Sequence, residues 1–190
     1  LFAERRAALL DGWVDPGPRT AAGTARPRVG MVRNLTFFDV FPFWRAFLDH
    51  LGCDVVLSAP TNPDIVKHTS THGVAETCFP VKLAFGHLVD AVGQDVDIMF
   101  LPSMASRERA AEGQPHNHYC PLIPATPHLL MQNLPAGTAK PRIVNHALHF
   151  HDAHARQGEL RAVAAALTGA SSRAADAAAT AGFDALERFQ

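Results

Sequence analysis

The chain has 190 residues, 47% of them apolar and 18% charged, with a net charge of −1. That profile suits one globular domain with appendages and gives no broad electrostatic case for nucleic acid. No apolar run approaches the roughly 20 residues that span a bilayer, so no membrane role is expected. Three cysteines are an odd, low count that argues against a disulfide framework and fits a reducing compartment, so a cytoplasmic location is expected. No signal-peptide pattern is seen, and a start at Leu1 rather than Met reads as a piece of a longer protein.

Residues 1–12 read as a short helix with Phe2, Leu9 and Leu10 apolar. Residues 14–27 are rich in Pro, Gly, Ala and Thr and read as a linker from an upstream domain. Val29-Gly30-Met31-Val32 is a first strand, and Arg33-Asn34-Leu35-Thr36 forms the loop at its carboxyl end. Pro42 is expected to start a helix that buries Phe43, Trp44, Phe47, Leu48 and Leu51, with Gly52 as its stop. A second strand runs Asp54 to Ser58, and Cys53 before it reads as a small core hydrophobe. Asn62-Pro63 opens a short helix that ends near Gly73. A longer helix follows Cys78, because Pro80 suits a first turn and Val81, Phe85, Leu88 and Val92 keep helical spacing before Gly93. Val96 to Leu101 is a third strand, ended by Pro102.

Residues 103–118 are polar and read as irregular. The chain after Cys120 is expected to stay extended and turn helical only from about Pro124 or Pro127. Ile143-Val144 is a candidate fourth strand, and residues 152–168 and 172–189 are alanine-rich helices. The organisation predicted is an N-terminal helix and linker over 1–27, an α/β domain over 28–150, and a helical C-terminal extension over 151–190 that could begin a further domain. Strand alternating with helix predicts a parallel sheet with helices on both faces. Ligands of such sheets bind beyond the carboxyl ends of the strands, which places Arg33, Asn34, Ser58 and Ser103 on the binding rim. Cys78 reaches that rim only if residues 73–79 cross back over it.

The chemistry-bearing residues gather around two Cys-to-Pro stretches, Cys78-Phe79-Pro80-Val81-Lys82 and His118-Tyr119-Cys120-Pro121. Free N–H groups and the positive dipole end at a helix start stabilise an anion, and the thiolate is the metal-ligating form of cysteine. Lys82, one turn beyond Cys78, adds positive charge on the same face; its plain reading is an exposed helix lysine. Each thiol could equally be a capping residue, and both together favour metal ligation somewhat. His116 and His118 beside Cys120 permit a zinc reading, although the spacing matches no compact finger. His146, His149, His151 and His154 read as solvated histidines near a helix start rather than a metal tract. His87 reads as a packing or hydrogen-bonding histidine. A Cys-His nucleophile pair has no identifiable third orienting group. No G-x-x-x-x-G-K-S/T, G-x-G-x-x-G or G-x-S-x-G motif is present, so neither a phosphate cradle nor a nucleophile elbow is signalled.

The run Val29 to Arg33, the Pro42-Phe43-Trp44 helix, Leu51 to Ser58, Glu76 to Lys82 with Gly86-His87, and Asn117 to Pro121 together resemble the acyl-CoA dehydratase activase-related proteins of bacteria. The resemblance is good over roughly residues 28–135 and loose at the helical ends. It implies a Rossmann-like α/β fold similar to the cluster-bearing dehydratase subunits. It also implies a 4Fe–4S iron–sulfur cluster held by Cys78 and Cys120, with Arg33, Asn34, Lys82, Ser103 and His118 as pocket residues. The implied role is a redox accessory protein, with an ATP-dependent activase domain or a dehydratase subunit as partner and a homodimer as a further arrangement. Relatives place a cysteine after the proline where this chain has Ser103, a poor iron ligand. The rival reading is a non-redox α/β module that binds a ligand or partner and whose cysteines are structural. The shared cluster requires the helices after Cys78 and Cys120 to start at one pocket, with Arg33 and Asn34 bordering it and Ser103 at its edge.

Overall fold

The computed structural model describes residues 2–18, 26–72, 77–108, 117–132 and 141–190. In chain order the elements are α1 (Phe2–Leu9), β1 (Arg28–Met31), α2 (Phe37–His50), β2 (Asp54–Leu57), α3 (Pro63–His72), α4 (Phe79–Val92), β3 (Ile98–Phe100) and β4 (Ser103–Ser106), then α5 (Leu122–Gln132), β5 (Arg142–Val144), β6 (Ala147–His149), α6 (Ala153–Thr168) and α7 (Ser172–Phe189). Part of the expected linker, residues 19–25, lies outside the described residues, as do Glu76, Arg109, Glu112 and His116.

Four strands form a parallel sheet in the order β2-β1-β3-β5. Parallel strands need crossover helices, and those helices cover both faces. Period-2 alternation sorts the side chains: Ile98 and Phe100 join α2, α6 and α7 on one face, while Met99 and Leu101 join α4 and α5 on the other. The first core is aromatic. Phe43, Trp44, Phe47, Phe100 and Phe150 are each at most 1% exposed, and burying a ring of this size stabilises by roughly 2–3 kcal/mol. On α7, Gly182 lies where a Cβ would come within 2.7 Å of the Phe43 ring, so only glycine lets the two helices approach this closely. The helical C-terminal segment is thus packed into the first core through α2. On the opposite face Gly86 does the same for α3 and α4, because a Cβ there would collide with the Ile65 carbonyl.

Three expectations need correction. The second helix starts at Phe37, not Pro42, so Pro42 sits inside it. Its missing N–H leaves the Phe38 carbonyl without an intrahelical donor, and Arg5 Nη2 donates there at 3.5 Å. Likewise α5 starts at Leu122: Pro124 falls in the first turn, where no amide is needed, and Pro127 is accommodated within the helix. Residues 103–106 are a strand rather than irregular chain. Pairing carries straight on past Pro102, with Leu101 N–H donating to Val144 O at 2.9 Å and Ser103 N–H to His146 O at 3.0 Å. The ribbon of β3 and β5 therefore continues as β4 and β6, which pair in parallel with a bulge between Met104 and Ser106. Antiparallel pairing of Ser106 with His118 adds residues 117–119 to this arm.

Candidate functional site

The strand order switches sides at β1, since β2 lies on one side of it and β3 on the other. In parallel sheets this switch opens a crevice at the carboxyl ends. Here it holds a cavity of about 40 Å³. Met31 and Val32 from β1, Phe100, Leu101 and Pro102 from β3, Ala84 from α4, and Ile123, Thr126, Pro127 and Leu130 from α5 line it, together with Asn34 to Phe37 and Trp44 of the α2 region.

Cys78 lies on this rim. It is the exposed N-cap of α4, with no side-chain capping bond, and its carbonyl accepts the Lys82 N–H at 3.1 Å. Two residues on, the Pro80 carbonyl accepts from Asn34 Nδ2 at 2.6 Å, which ties the start of α4 to the loop after β1. Asn34 Oδ1 also accepts the Leu35 N–H at 2.8 Å, supporting Leu35 at φ +53°. Cys120 is exposed too, and its carbonyl accepts the Ile123 N–H at 2.9 Å at the start of α5. Its neighbour Tyr119 is buried and donates to Asp39 Oδ2 in the first turn of α2 at 3.3 Å. Burial, then the adjacent Asp39 charge, pushes the Tyr119 phenol up, so it stays a neutral donor. Both accessible thiols therefore lie at the starts of α4 and α5, two helices that pack together and line one cavity. Phe38, Phe79 and Leu122, in the first turns of α2, α4 and α5, are among the few large apolar side chains left exposed.

The other expected pocket residues separate from this pair. Asn34 lines the cavity, but Arg33 does not: its guanidinium lies 5.1 Å over the Trp13 ring, toward the N-terminal segment. Burial, then the Arg6 charge, lowers its pKa. Ser103 is 3% exposed and donates to Asn145 Oδ1 at 2.8 Å, so it fastens the ribbon instead of edging the cavity. Lys82 is half-buried on α4. His118 is exposed on the arm, its ring 5.3 Å from that of His151. His151 Nδ1 lies 2.6 Å from Ser106 Oγ, and His149 Nδ1 lies 2.7 Å from Glu159 Oε1. Cys53 is the buried core thiol expected, with burial pushing it up to about 11. His87 is the hydrogen-bonding histidine expected: it is fully buried, Nδ1 2.9 Å from Ser58 Oγ and Nε2 3.0 Å from Thr61 Oγ1, and burial pushes it down to about 4.

Among the described residues no group of three or more His, Cys, Asp or Glu is placed to hold a metal ion. A 4Fe–4S cluster takes four thiolates. The donor set on this rim is two thiols, so this chain's described residues fit half of a cluster and do not complete one.

The family model described as CoA enzyme activase uncharacterised domain matches residues 28–190. Comparison with curated proteins and with solved structures gives no match.

Proposed function

We propose, from the premise that the chain belongs to the CoA enzyme activase uncharacterised domain family, that it is an iron–sulfur-binding accessory module of that activase system. The single observation carrying this reading is the placement of Cys78 and Cys120, both exposed, at the starts of two helices on the same rim. Helix starts favour anions, and thiolates are the ligands such a cluster takes. A bound cluster would supply one-electron chemistry; this chain's part is to present two thiolates and a rim on which a partner can close. Phe38, Phe79 and Leu122 give that rim apolar contact area. The remaining two ligands come from the partner, an ATP-dependent activase domain, a dehydratase subunit or a second copy of this chain.

Anaerobic reconstitution tests it. Brown protein with iron and sulfide in near-equal amounts is expected, alone or with the activase or dehydratase component, and loss of both in Cys78→Ala and in Cys120→Ala. A colourless, iron-free product in every combination removes the proposal. What then remains is a non-redox module that binds a ligand at the same rim, a reading supported by the cavity between β1 and β3.

A further inference from the structure

The family match begins at residue 28, yet residues before it are docked on the matched domain. Leu9 is buried in the first core. Trp13 Nε1 donates at 2.9 Å to the Val55 carbonyl of β2, which is an edge strand. The Arg33 guanidinium lies over the Trp13 ring, 5.1 Å from its centroid. Arg33 is half-buried, and a contact of this kind strengthens when it is shielded from water. The fit is otherwise loose. A space of about 200 Å³ is lined by Trp13, Val14 and Pro16 of the segment and by Arg45, Asp49 and Val55 of the domain. Val14 is 81% exposed.

Arg33 begins the loop after β1, and that loop also grips α4. The Arg33 N–H donates to Ser58 Oγ at 2.9 Å, and Ser58 Oγ lies 2.9 Å from His87 Nδ1 on α4. Asn34 Nδ2 holds the Pro80 carbonyl, two residues past Cys78. Leu35 follows at φ +53°. A bulky side chain is rare in this left-handed region, and such strain persists only where surrounding contacts over-determine the backbone. The loop is thus held on one side by the N-terminal segment and on the other by the helix that Cys78 caps.

We propose that residues 2–18 are a regulatory strap whose seating fixes how Cys78 is presented. With Trp13 docked on β2, Arg33 and Asn34 hold the start of α4. With Trp13 displaced, the strained loop relaxes, the hold on Pro80 slackens, and Cys78 moves relative to Cys120. Cys120 is the fixed point, because the Tyr119 N–H is tied to Ala105 O on the arm and not to this loop. The proposal rests on the two rim thiols being the functional pair and concerns their regulation.

The thiols themselves supply the test. Cys78 and Cys120 are exposed and take nitroxide labels, while Cys53 is buried, so pulsed dipolar electron paramagnetic resonance reads one distance. Trp13→Ala is expected to shift its mean or widen its distribution by about 2 Å or more, the scale of a loop rearrangement. Arg33→Ala should act in the same direction, and the double variant should do no more than Trp13→Ala alone. Asn34→Ala, which cuts the grip on α4, should reproduce the effect. Trp13→Phe, which keeps a ring beneath Arg33, should change the distance less and replaces Trp13→Ala if that variant does not fold. Arg161→Ala breaks the ion pair to Asp176 between α6 and α7 and should leave the distance unchanged. Three outcomes would overturn the proposal: the Trp13 and Arg33 variants superimposing on the parent, Asn34→Ala leaving the distance unchanged, or Arg161→Ala altering it as much as they do. Labelled thiols bind no iron, so failure of the strap and failure of the cluster are distinguishable.

Discussion

The two ends of the sheet are built on opposite principles. At the amino end Arg28 is 6% exposed, yet it is fully engaged. Its backbone N–H donates to Asp97 Oδ2 at 2.8 Å, its Nε to the Asp95 carbonyl at 2.8 Å, and its Nη2 to the Gly17 carbonyl at 2.9 Å. The same edge closes with Arg26, whose Nη2 donates to Asp49 Oδ1 and to the Cys53 carbonyl, each at 2.9 Å. At the carboxyl end two thiols and three large apolar side chains face outward. At the amino end Arg26 Nε makes no hydrogen bond but lies 3.1 Å from Asp54 Oδ1; dense pairing at this end, against exposed thiols and apolar side chains at the other, separates the part that holds the fold from the part available for binding.

The comparison breaks most visibly at Arg28. Arg28→Ala strips charge-assisted hydrogen bonds from three backbone carbonyls and should cost about 4 kcal/mol, read from urea denaturation. Next in size is a pH effect on the carboxyl side, where His87 is held neutral. Its folded pKa is pushed from 6.5 down to about 4, so the unfolded chain binds the extra proton first as pH falls. Stability should be complete above pH 6.5, decline by up to about 3 kcal/mol between 6.5 and 4, and gain no further slope from this group below that. His87→Gln should flatten the slope in that window, and an unchanged slope would mean other groups set it. Asn34→Ala, which unties the loop after β1 from the start of α4, should cost about 2 kcal/mol. The smallest effects belong to the rim. Phe79→Ser, Leu122→Ser and Cys78→Ala should each stay within about 0.5 kcal/mol of the parent. A thiol reagent should label Cys78 and Cys120 rapidly and Cys53 only on unfolding. A large loss of stability in these rim variants would erase the distinction between the two ends.

Most of the framework was readable before any coordinates because it depends on periodicity and local stops. Val81, Phe85 and Leu88 declared α4, and Gly52 and Pro63 marked the ends of their helices. The proline at 42 misled because a helix tolerates one when another donor reaches the carbonyl left over, and that donor, Arg5, comes from a distant part of the chain. Ser103-Met104-Ala105-Ser106 has little strand character of its own; it is a strand because residues 147–149 lie beside it. At the site, the thiols at two helix starts were legible from the prolines that follow them. Arg33 was not, because its direction depends on Trp13 across the sheet edge.

The antiparallel pairing on the arm has a practical corollary. Arg107 N–H donates to Asn117 O at 2.9 Å and Tyr119 N–H to Ala105 O at 3.0 Å, so the chain is clamped on both sides of the stretch between residues 108 and 117. Cys120 takes its position from that clamp and from Tyr119 on Asp39, not from the length of chain in between. A substitution at Asp39, on a different helix, would therefore reach the thiol through Tyr119 and change how Cys120 is presented without touching it.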